Sequence, residues 1–120
     1  LEKVKTHAGD VDFEVQPELL SLFSNRDFGR YAGEKGEMNV CFISNNDITG
    51  GNSVSAMFNA RGELLGLAFD GNWEAMSSDI LYEPKMQRCI GVDVRYILFM
   101  IEKYGKAGDL IRELKIVSGK

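Results

Sequence analysis

The sequence is poor in the residues from which disulfide frameworks and metal sites are built. Its 120 residues include two cysteines, Cys41 and Cys89, and a single histidine, His7. A disulfide framework in so short a chain normally needs more cysteines, and a structural zinc site needs about four ligands. Both cysteines lie in apolar surroundings, so we expect two buried, small apolar side chains, or a single bridge if two strands place them side by side. We predict no metal and no cofactor.

Long apolar runs and an excess of positive charge are also missing. The longest apolar stretch, YILFMI (96–101), is far too short to cross a bilayer. The net charge is -4 and the charges are interspersed, which argues against a nucleic-acid partner, because phosphate binding needs clustered Lys and Arg. The length predicts one domain. The first residue is Leu rather than Met, which suggests a fragment or a processed product.

The first third of the chain predicts a strand, a helix, a loop and a second strand. VDFEV (11–15) alternates apolar and polar residues, which is typical of a half-buried strand. Pro17 suits the first turn of a short N-terminal helix with an apolar face. Residues 25–38 are rich in Gly and charge and predict an exposed loop with a tight turn at Gly36. VCFIS (40–44) is a short β-favouring run that predicts a buried strand.

The middle of the chain predicts a β-hairpin and one further strand. SAMFN (55–59) and ELLGLAF (63–69) flank a short connection, with Gly62 where a residue of positive φ would lie. The second of these strands has no polar face, so we expect it to be covered on both sides. A long irregular connection (71–86) leads to RCIGVDV (88–94), a third strand.

The end of the chain predicts helix. Asp93 can cap a helix over residues 94–104, which Gly105 ends, and a weaker helix follows over 108–114. Short strands with long loops and a closing helix are typical of a small β-barrel or sandwich with helical appendages.

A loop rich in Gly, Asn and Ser, DITGGNSVSAMFN (47–59), precedes the hairpin and raises a functional question. Ser53 is either a nucleophile held on a tight turn or part of an ordinary loop leading into a strand. Local composition favours the ordinary loop, because these residues are the usual turn formers.

Longer stretches of the sequence resemble a known family. NDITGGNS (46–53), FNARGELLGLAFDGNWEAMS (58–77) and VDVRYILFMIEKYG (92–105) are similar to the C-terminal end of the dipeptidyl-peptidase 7 and 11 family. These bacterial serine exopeptidases remove dipeptides from the free N-terminus of peptides. The resemblance implies a mainly β fold: residues 1–120 would be one domain, the C-terminal, nucleophile-bearing barrel of a chymotrypsin-like double β-barrel.

The resemblance implies a role for four residues. Ser53 matches the nucleophile, and the N–H groups of Ser53 and Gly51 match the oxyanion hole. Asp70 matches the carboxylate that receives the substrate's α-amino group. Gly71 matches the pocket for the side chain before the cleaved bond, where Gly goes with hydrophobic residues and Arg goes with Asp and Glu.

The resemblance also implies partners and a location. Peptides are the substrates, and the N-terminal barrel of the same protein carries the triad His and Asp. Nothing around His7 matches the catalytic histidine, so we expect this chain alone to be inactive. Family members act as homodimers and are exported to the periplasm or cell surface of a bacterium.

Two positions depart from the family pattern Gly-Asn-Ser-Gly-Ser-Pro, which is GNSVSA here, with Val54 and Ala56. A β-branched residue after the nucleophile restricts the backbone. This departure favours an alternative, a degenerate, non-catalytic barrel that binds peptides; a β-domain without a site is a third hypothesis. Asp47 is expected to bond nearby backbone N–H groups of its loop. Trp73 suits a substrate cleft or a sheet edge equally. Four methionines are expected to fill the core: Met57, Met76, Met86 and Met100.

Overall fold

An antiparallel four-stranded sheet forms the centre of the structure. The computed structural model describes residues 2–77 and 80–117. The strands are β1 (Cys41–Ser44), β2 (Ala56–Phe58), β3 (Leu64–Gly71) and β4 (Cys89–Asp93), in the order β1-β4-β3-β2. The predicted antiparallel strands with helices before and after them are confirmed. Within the described ranges the sheet is open, with β1 and β2 at its edges, so these strands do not close a barrel by themselves.

The predicted hairpin joins β2 to β3 and is confirmed. Gly62 adopts φ +75° and its N–H donates to the carbonyl of Asn59 at 3.0 Å. The side-chain oxygen of Asn59 accepts the N–H groups of Arg61 at 2.9 Å and Glu63 at 3.0 Å. The turn is therefore held by its own residues, which is why its sequence alone predicted it.

Burial of the strands differs from the prediction. The expected cover on both sides of β3 is wrong, because Leu64, Leu65 and Phe69 are exposed. The expected burial of β1 is also wrong, since it is an edge strand whose Cys41 and Ile43 are exposed. Apolar residues favour burial, but the described part of the chain provides no second layer over these side chains.

We expect the isolated chain to bind a hydrophobic dye and to self-associate, because large apolar side chains of the sheet, among them Ile43, Phe58 and Phe69, are 60 to 69% exposed. Dye fluorescence and sedimentation velocity measure the two effects. A single monomeric species in sedimentation, with no increase in dye fluorescence, would contradict this expectation.

Helices lie before and after the sheet. They are α1 (Glu2–Thr6), α2 (Pro17–Ser24), α3 (Val94–Phe99) and α4 (Gly108–Arg112). The predicted helices at 17, 94 and 108 are confirmed, with Pro17 in the first turn of α2. Among the described residues no helix is long and apolar enough to span a membrane.

The predicted helix over 94–104 begins as expected and ends differently in detail. The carboxylate of Asp93 accepts the N–H of Arg95 at 2.8 Å and so caps α3. The helix continues as a π-helical turn, Met100–Tyr104. Gly105 follows the last turn with φ -75°, so it does not have the left-handed conformation. Lys106, the next residue, is left-handed instead, at φ 53°.

The strand predicted over 11–15 is wrong. Val11–Phe13 is a 3₁₀ turn, which Asp10 caps by accepting the N–H of Asp12 at 3.1 Å. An Asp side chain that bonds the backbone two residues on offers an alternative to sheet pairing, and the strands of the described sheet all lie elsewhere.

An aromatic core packs α3 against the segment after α2. Its buried members are Phe28, Tyr31, Leu98, Phe99 and Ile111. Phe23 meets Phe28 and Phe99 edge to face at 5.2 and 5.7 Å between ring centroids. The prediction that 25–38 is an exposed loop is therefore wrong at Phe28 and Tyr31, although its turn at Gly36 is confirmed by φ +72°.

The two cysteines are free. They lie on neighbouring strands, but Cys41 faces Val92 and Cys89 faces Ser44, so the register keeps them apart. The bridge left open by the sequence is excluded. Cys89 is fully buried as predicted, and burial raises the pKa of its thiol above the usual value; Cys41 is exposed, against expectation.

Candidate active site

A cavity of about 270 Å³ lies where the glycine turn before β2 meets the end of β3. It brings Ser53, on the turn before β2, together with Asp70 and Gly71, at the end of β3. Gly51 lies on the same turn without lining the cavity. The lining residues are Ile48, Thr49, Gly50, Asn52, Ser53, Ala68, Phe69, Asp70, Gly71, Asn72, Ala75 and Met76.

Asn52 holds the turn that carries Ser53. Its side-chain oxygen accepts the N–H of Thr49 at 2.7 Å, and its own N–H donates to the carbonyl of Thr49 at 3.2 Å. Gly51 adopts φ +95°, a conformation that side chains rarely tolerate. The turn therefore presents Ser53 at its exposed tip.

Two backbone N–H groups on this turn are available to a ligand. Within the described ranges, the N–H groups of Gly51 and Ser53 donate to no other residue of the chain. Such unpaired donors beside an exposed hydroxyl are the arrangement from which oxyanion holes are built.

Val54 occupies a strained backbone conformation directly after Ser53. Its φ is 69°, which is left-handed and unfavourable for a β-branched residue. Two hydrogen bonds to β3 hold it there: the N–H of Val54 donates to the carbonyl of Ala68 at 2.7 Å, and the N–H of Ala68 donates to the carbonyl of Ser55 at 2.8 Å. The position therefore demands the conformation that glycine adopts freely, and such strain costs about 1–3 kcal/mol.

Replacing Val54 by Gly together with Ala56 by Pro should stabilise the turn by roughly 1 kcal/mol, because glycine removes the strain. Ala56 lies on edge strand β2, where proline is tolerated. If the full-length protein has the dipeptidyl-peptidase activity that the resemblance implies, its turnover should rise or stay unchanged. Thermal unfolding and steady-state kinetics measure the two effects, with Val54→Gly alone as the control. A large loss of turnover would show that this turn has adapted to Val and Ala.

A bulge aims the end of β3 into the cavity. The pairing with β4 shifts by one residue between Ala68 and Asp70, which leaves Phe69 unpaired. Asp70 is exposed, and one of its carboxylate oxygens accepts the N–H of Gly71 at 2.8 Å. Asp70 thus places a negative charge beside Gly71 and in the same cavity as Ser53.

Asn72 anchors the wall after Gly71. Its side-chain oxygen accepts the N–H of Arg88 at 2.8 Å, and its side-chain nitrogen donates to the carbonyl of Met86 at 2.8 Å and to the carboxylate of Glu74 at 2.7 Å. Because its amide is fully engaged, Asn72 builds the cavity rather than offering groups to a ligand.

Apart from Ser53, Asp70 and Gly71, none of the lining residues was assigned to the site from the sequence; among those missed are Ile48, Asn72, Ala75 and Met76. The 3₁₀ turn Trp73–Ser77 that carries two of them falls in a stretch predicted as irregular. Met76 was expected to fill the core, which is wrong, since it is 73% exposed; Met86 is exposed as well. The sequence carried no signal for this wall beyond the family pattern.

Other candidate residues lie outside this cavity. Asp47 and Trp73 are exposed and do not line it. The ring of His7 stacks on Phe13 at 4.5 Å and its Nδ1 lies 3.0 Å from the carbonyl of Lys3, so it is engaged locally near the start of the chain. In the described part of the chain no group of three His, Cys, Asp or Glu side chains could hold a metal ion.

A family model supports the likeness seen in the sequence. The model of peptidase S46 matches residues 1–116. The chain belongs to the peptidase S46 family. Dipeptidyl-peptidase 7 of Porphyromonas endodontalis is 60% identical over 108 residues, which are 90% of this S46 chain and 13% of the relative. An Asp/Glu-specific dipeptidyl-peptidase of Capnocytophaga gingivalis is 49% identical and matches 91% of the chain and 15% of its own length.

A solved structure shows the same fold. The crystal structure of Porphyromonas endodontalis DPP11 in complex with the dipeptide Arg-Asp superposes with a TM-score of 0.89 at 43% identity, over 96% of this S46 chain and 17% of that one. The chain thus spans about one sixth or less of the proteins it matches.

Proposed function

We propose that the full-length protein carrying this chain is a serine dipeptidyl-peptidase and that residues 1–120 are its C-terminal, nucleophile-bearing part. The observation that carries the proposal is the cavity that joins Ser53, Asp70 and Gly71. The relatives are named dipeptidyl-peptidases, and DPP11 has been crystallised with dipeptides, which supports a peptide ligand.

The geometry supports a defined role for each group. Ser53 attacks the scissile carbonyl, and the N–H groups of Gly51 and Ser53 receive the developing oxyanion. The base that takes the serine proton comes from outside this chain, because His7 is engaged elsewhere. We therefore expect the chain alone to have no peptidase activity.

Asp70 explains why two residues would be released at a time. A free α-amino group is positively charged at neutral pH, and a carboxylate at a fixed distance from the nucleophile pairs with it. A substrate is then held at two points, its amino group at Asp70 and its scissile carbonyl at Ser53. The distance between Asp70 and Ser53 therefore determines how many residues lie between the N-terminus and the cleaved bond.

Gly71 supports a preference for a hydrophobic residue before the cleaved bond. It adds neither bulk nor charge to the wall, and Ile48, Ala75 and Met76 beside it are apolar. An apolar side chain gains about 25 cal/mol per Å² buried, whereas an acidic one would lose hydration without finding a cation. Some relatives are named Asp/Glu-specific, at 46 to 49% identity, and others, named dipeptidyl-peptidase 7, reach 60%.

The open sheet supports a second partner, the rest of the same polypeptide. Exposed apolar side chains on β1, β2 and β3 suit a chymotrypsin-like double barrel in which this domain packs against the N-terminal barrel that carries the triad His and Asp. A homodimer and export to the periplasm or cell surface of a bacterium are part of the same proposal.

A non-catalytic peptide-binding barrel is the second candidate function. The observation that favours it is Val54, whose left-handed backbone is strained where the family pattern has glycine. Such a domain would bind peptide N-termini through Asp70, and Ser53 would not attack the bound peptide.

A fluorophosphonate probe on the full-length protein discriminates the two functions, because only an activated serine is phosphonylated quickly. We expect labelling within minutes on the peptide that contains Ser53, and none after Ser53→Ala. A full-length wild type that binds dipeptides but resists the probe would favour the binding barrel.

A further inference from the structure

The methyl group of Ala75 forms part of the cavity wall directly beside Gly71. A Cβ atom built on Gly71 would lie 2.8 Å from the Cβ of Ala75 and 3.6 Å from Cδ1 of Ile48. A separation of 2.8 Å is well below ordinary carbon contact, so a Cβ at position 71 would clash with the Ala75 methyl. The space that the two positions share is already filled by that methyl group.

Several hydrogen bonds fasten the turn that carries this wall. The N–H of Ala75 donates to the carbonyl of Asn72 at 2.9 Å, and the N–H of Asn72 donates to the carbonyl of Arg88 at 2.9 Å. The side chain of Asn72 adds its bonds to Arg88 and Met86, each at 2.8 Å. A turn that is tied in this way to the start of β4 resists displacement by a larger guest, because moving it strains these hydrogen bonds.

We infer that Ala75 sets the upper size limit for the substrate side chain that enters the cavity beside Gly71. The inference rests on the proposed function and adds a specificity residue to it. Gly71 adds no side chain to the wall, and the Ala75 methyl beside it is the side-chain group that extends furthest at this point of the pair. A side chain at position 75 larger than alanine shortens the pocket, and glycine deepens it.

The test is a series of substrate sizes against two variants of the full-length protein. Dipeptide-coupled dyes ending in Ala, Met or Phe are compared in wild type, Ala75→Val and Ala75→Gly. Ala75→Val should lower the kcat/KM ratio of Met over Ala about tenfold or more, the usual effect of a methylene misfit in an apolar pocket. Ala75→Gly should raise the ratio of Phe over Met.

The matched control is Ala32→Val. Ala32 is exposed, away from the cavity, and its extended backbone (φ -61°, ψ 141°) suits valine. The control should leave all ratios unchanged, and thermal unfolding shows that each variant is folded. An Ala75→Val protein that is folded and keeps the wild-type ratios overturns the inference.

A double-mutant cycle tests the contact itself. Gly71→Ala places a methyl against Ala75 and should lower the Met over Ala ratio, and adding Ala75→Gly should restore much of it. Strictly additive effects would show that the two positions do not share one space and would overturn the inference.

Binding separates this inference from the proposed function. If the full-length protein does not release dipeptides, calorimetric affinities for dipeptides ending in Ala and in Met still report pocket size. A Met over Ala affinity ratio that falls in Ala75→Val supports the inference while the peptidase proposal fails, and an unchanged ratio, or no binding of either dipeptide, overturns it.

Discussion

Ser53→Ala in the full-length protein should lower kcat for a dipeptide-coupled dye by about 10⁴-fold or more, because the attacking oxygen is lost. KM should change little, since the substitution leaves the proposed substrate contacts of Asp70 and Gly71 in place. The exposed hydroxyl makes no hydrogen bond within the described residues that its loss would break, so unfolding should be nearly unaffected. Steady-state kinetics and thermal unfolding on the same preparation check both statements.

Ser55→Ala is the matched control, with the same substitution two residues further along. Ser55 is exposed and does not line the cavity, and its bond to Ala68 uses the backbone carbonyl, which the substitution keeps. Its effect should stay within about twofold, as for most surface changes. Substantial turnover by the Ser53→Ala protein would remove Ser53 from the chemistry.

Gly71→Arg should reverse the specificity, with a loss of about 100-fold in kcat/KM for substrates that carry Met before the cleaved bond. The backbone at Gly71 is not left-handed, so its conformation suits an arginine once Ala75 gives way to the new Cβ. Its stem fills the apolar space, and its planar fork suits a carboxylate. Substrates carrying Asp or Glu should therefore gain turnover.

Two neighbours limit the gain for acidic substrates. The new Cβ would meet that of Ala75 at 2.8 Å, closer than side-chain carbons pack, so the turn Trp73–Ser77 must move away from it. Asp70 lies next door and offsets part of the new charge, which makes the gain smaller than the loss. Adding Ala75→Gly should relieve the first of these limits.

Gly71→Leu is the matched control for charge. It fills similar space without a cation, so it should lose turnover of Met substrates and gain none for Asp. The kcat/KM ratio of one Met and one Asp substrate is measured in all three proteins. A ratio that does not move toward Asp in Gly71→Arg would place the pocket elsewhere.

Local chemistry was enough to predict the elements that depend on their own residues. The hairpin at Gly62, the helix starts at Pro17 and Asp93 and the turn at Gly36 each rest on a backbone conformation or a cap supplied within a few residues. VDFEV (11–15) shows the limit of such reasoning, because alternation predicts a strand only where another strand can pair with it, and Asp10 instead caps a 3₁₀ turn.

Sequence alone also predicted the candidate site residues, since Ser53, Gly51, Asp70 and Gly71 match the family pattern. Only the tertiary structure decided that Ser53 and Gly71 share one cavity, because the pairing of β3 with its neighbours and the bulge at Phe69 are contacts between distant segments. It alone revealed the strain at Val54, which depends on hydrogen bonds to Ala68. The burial of each strand was also decided by the tertiary structure, because an apolar strand is covered only where other segments of the chain pack against it.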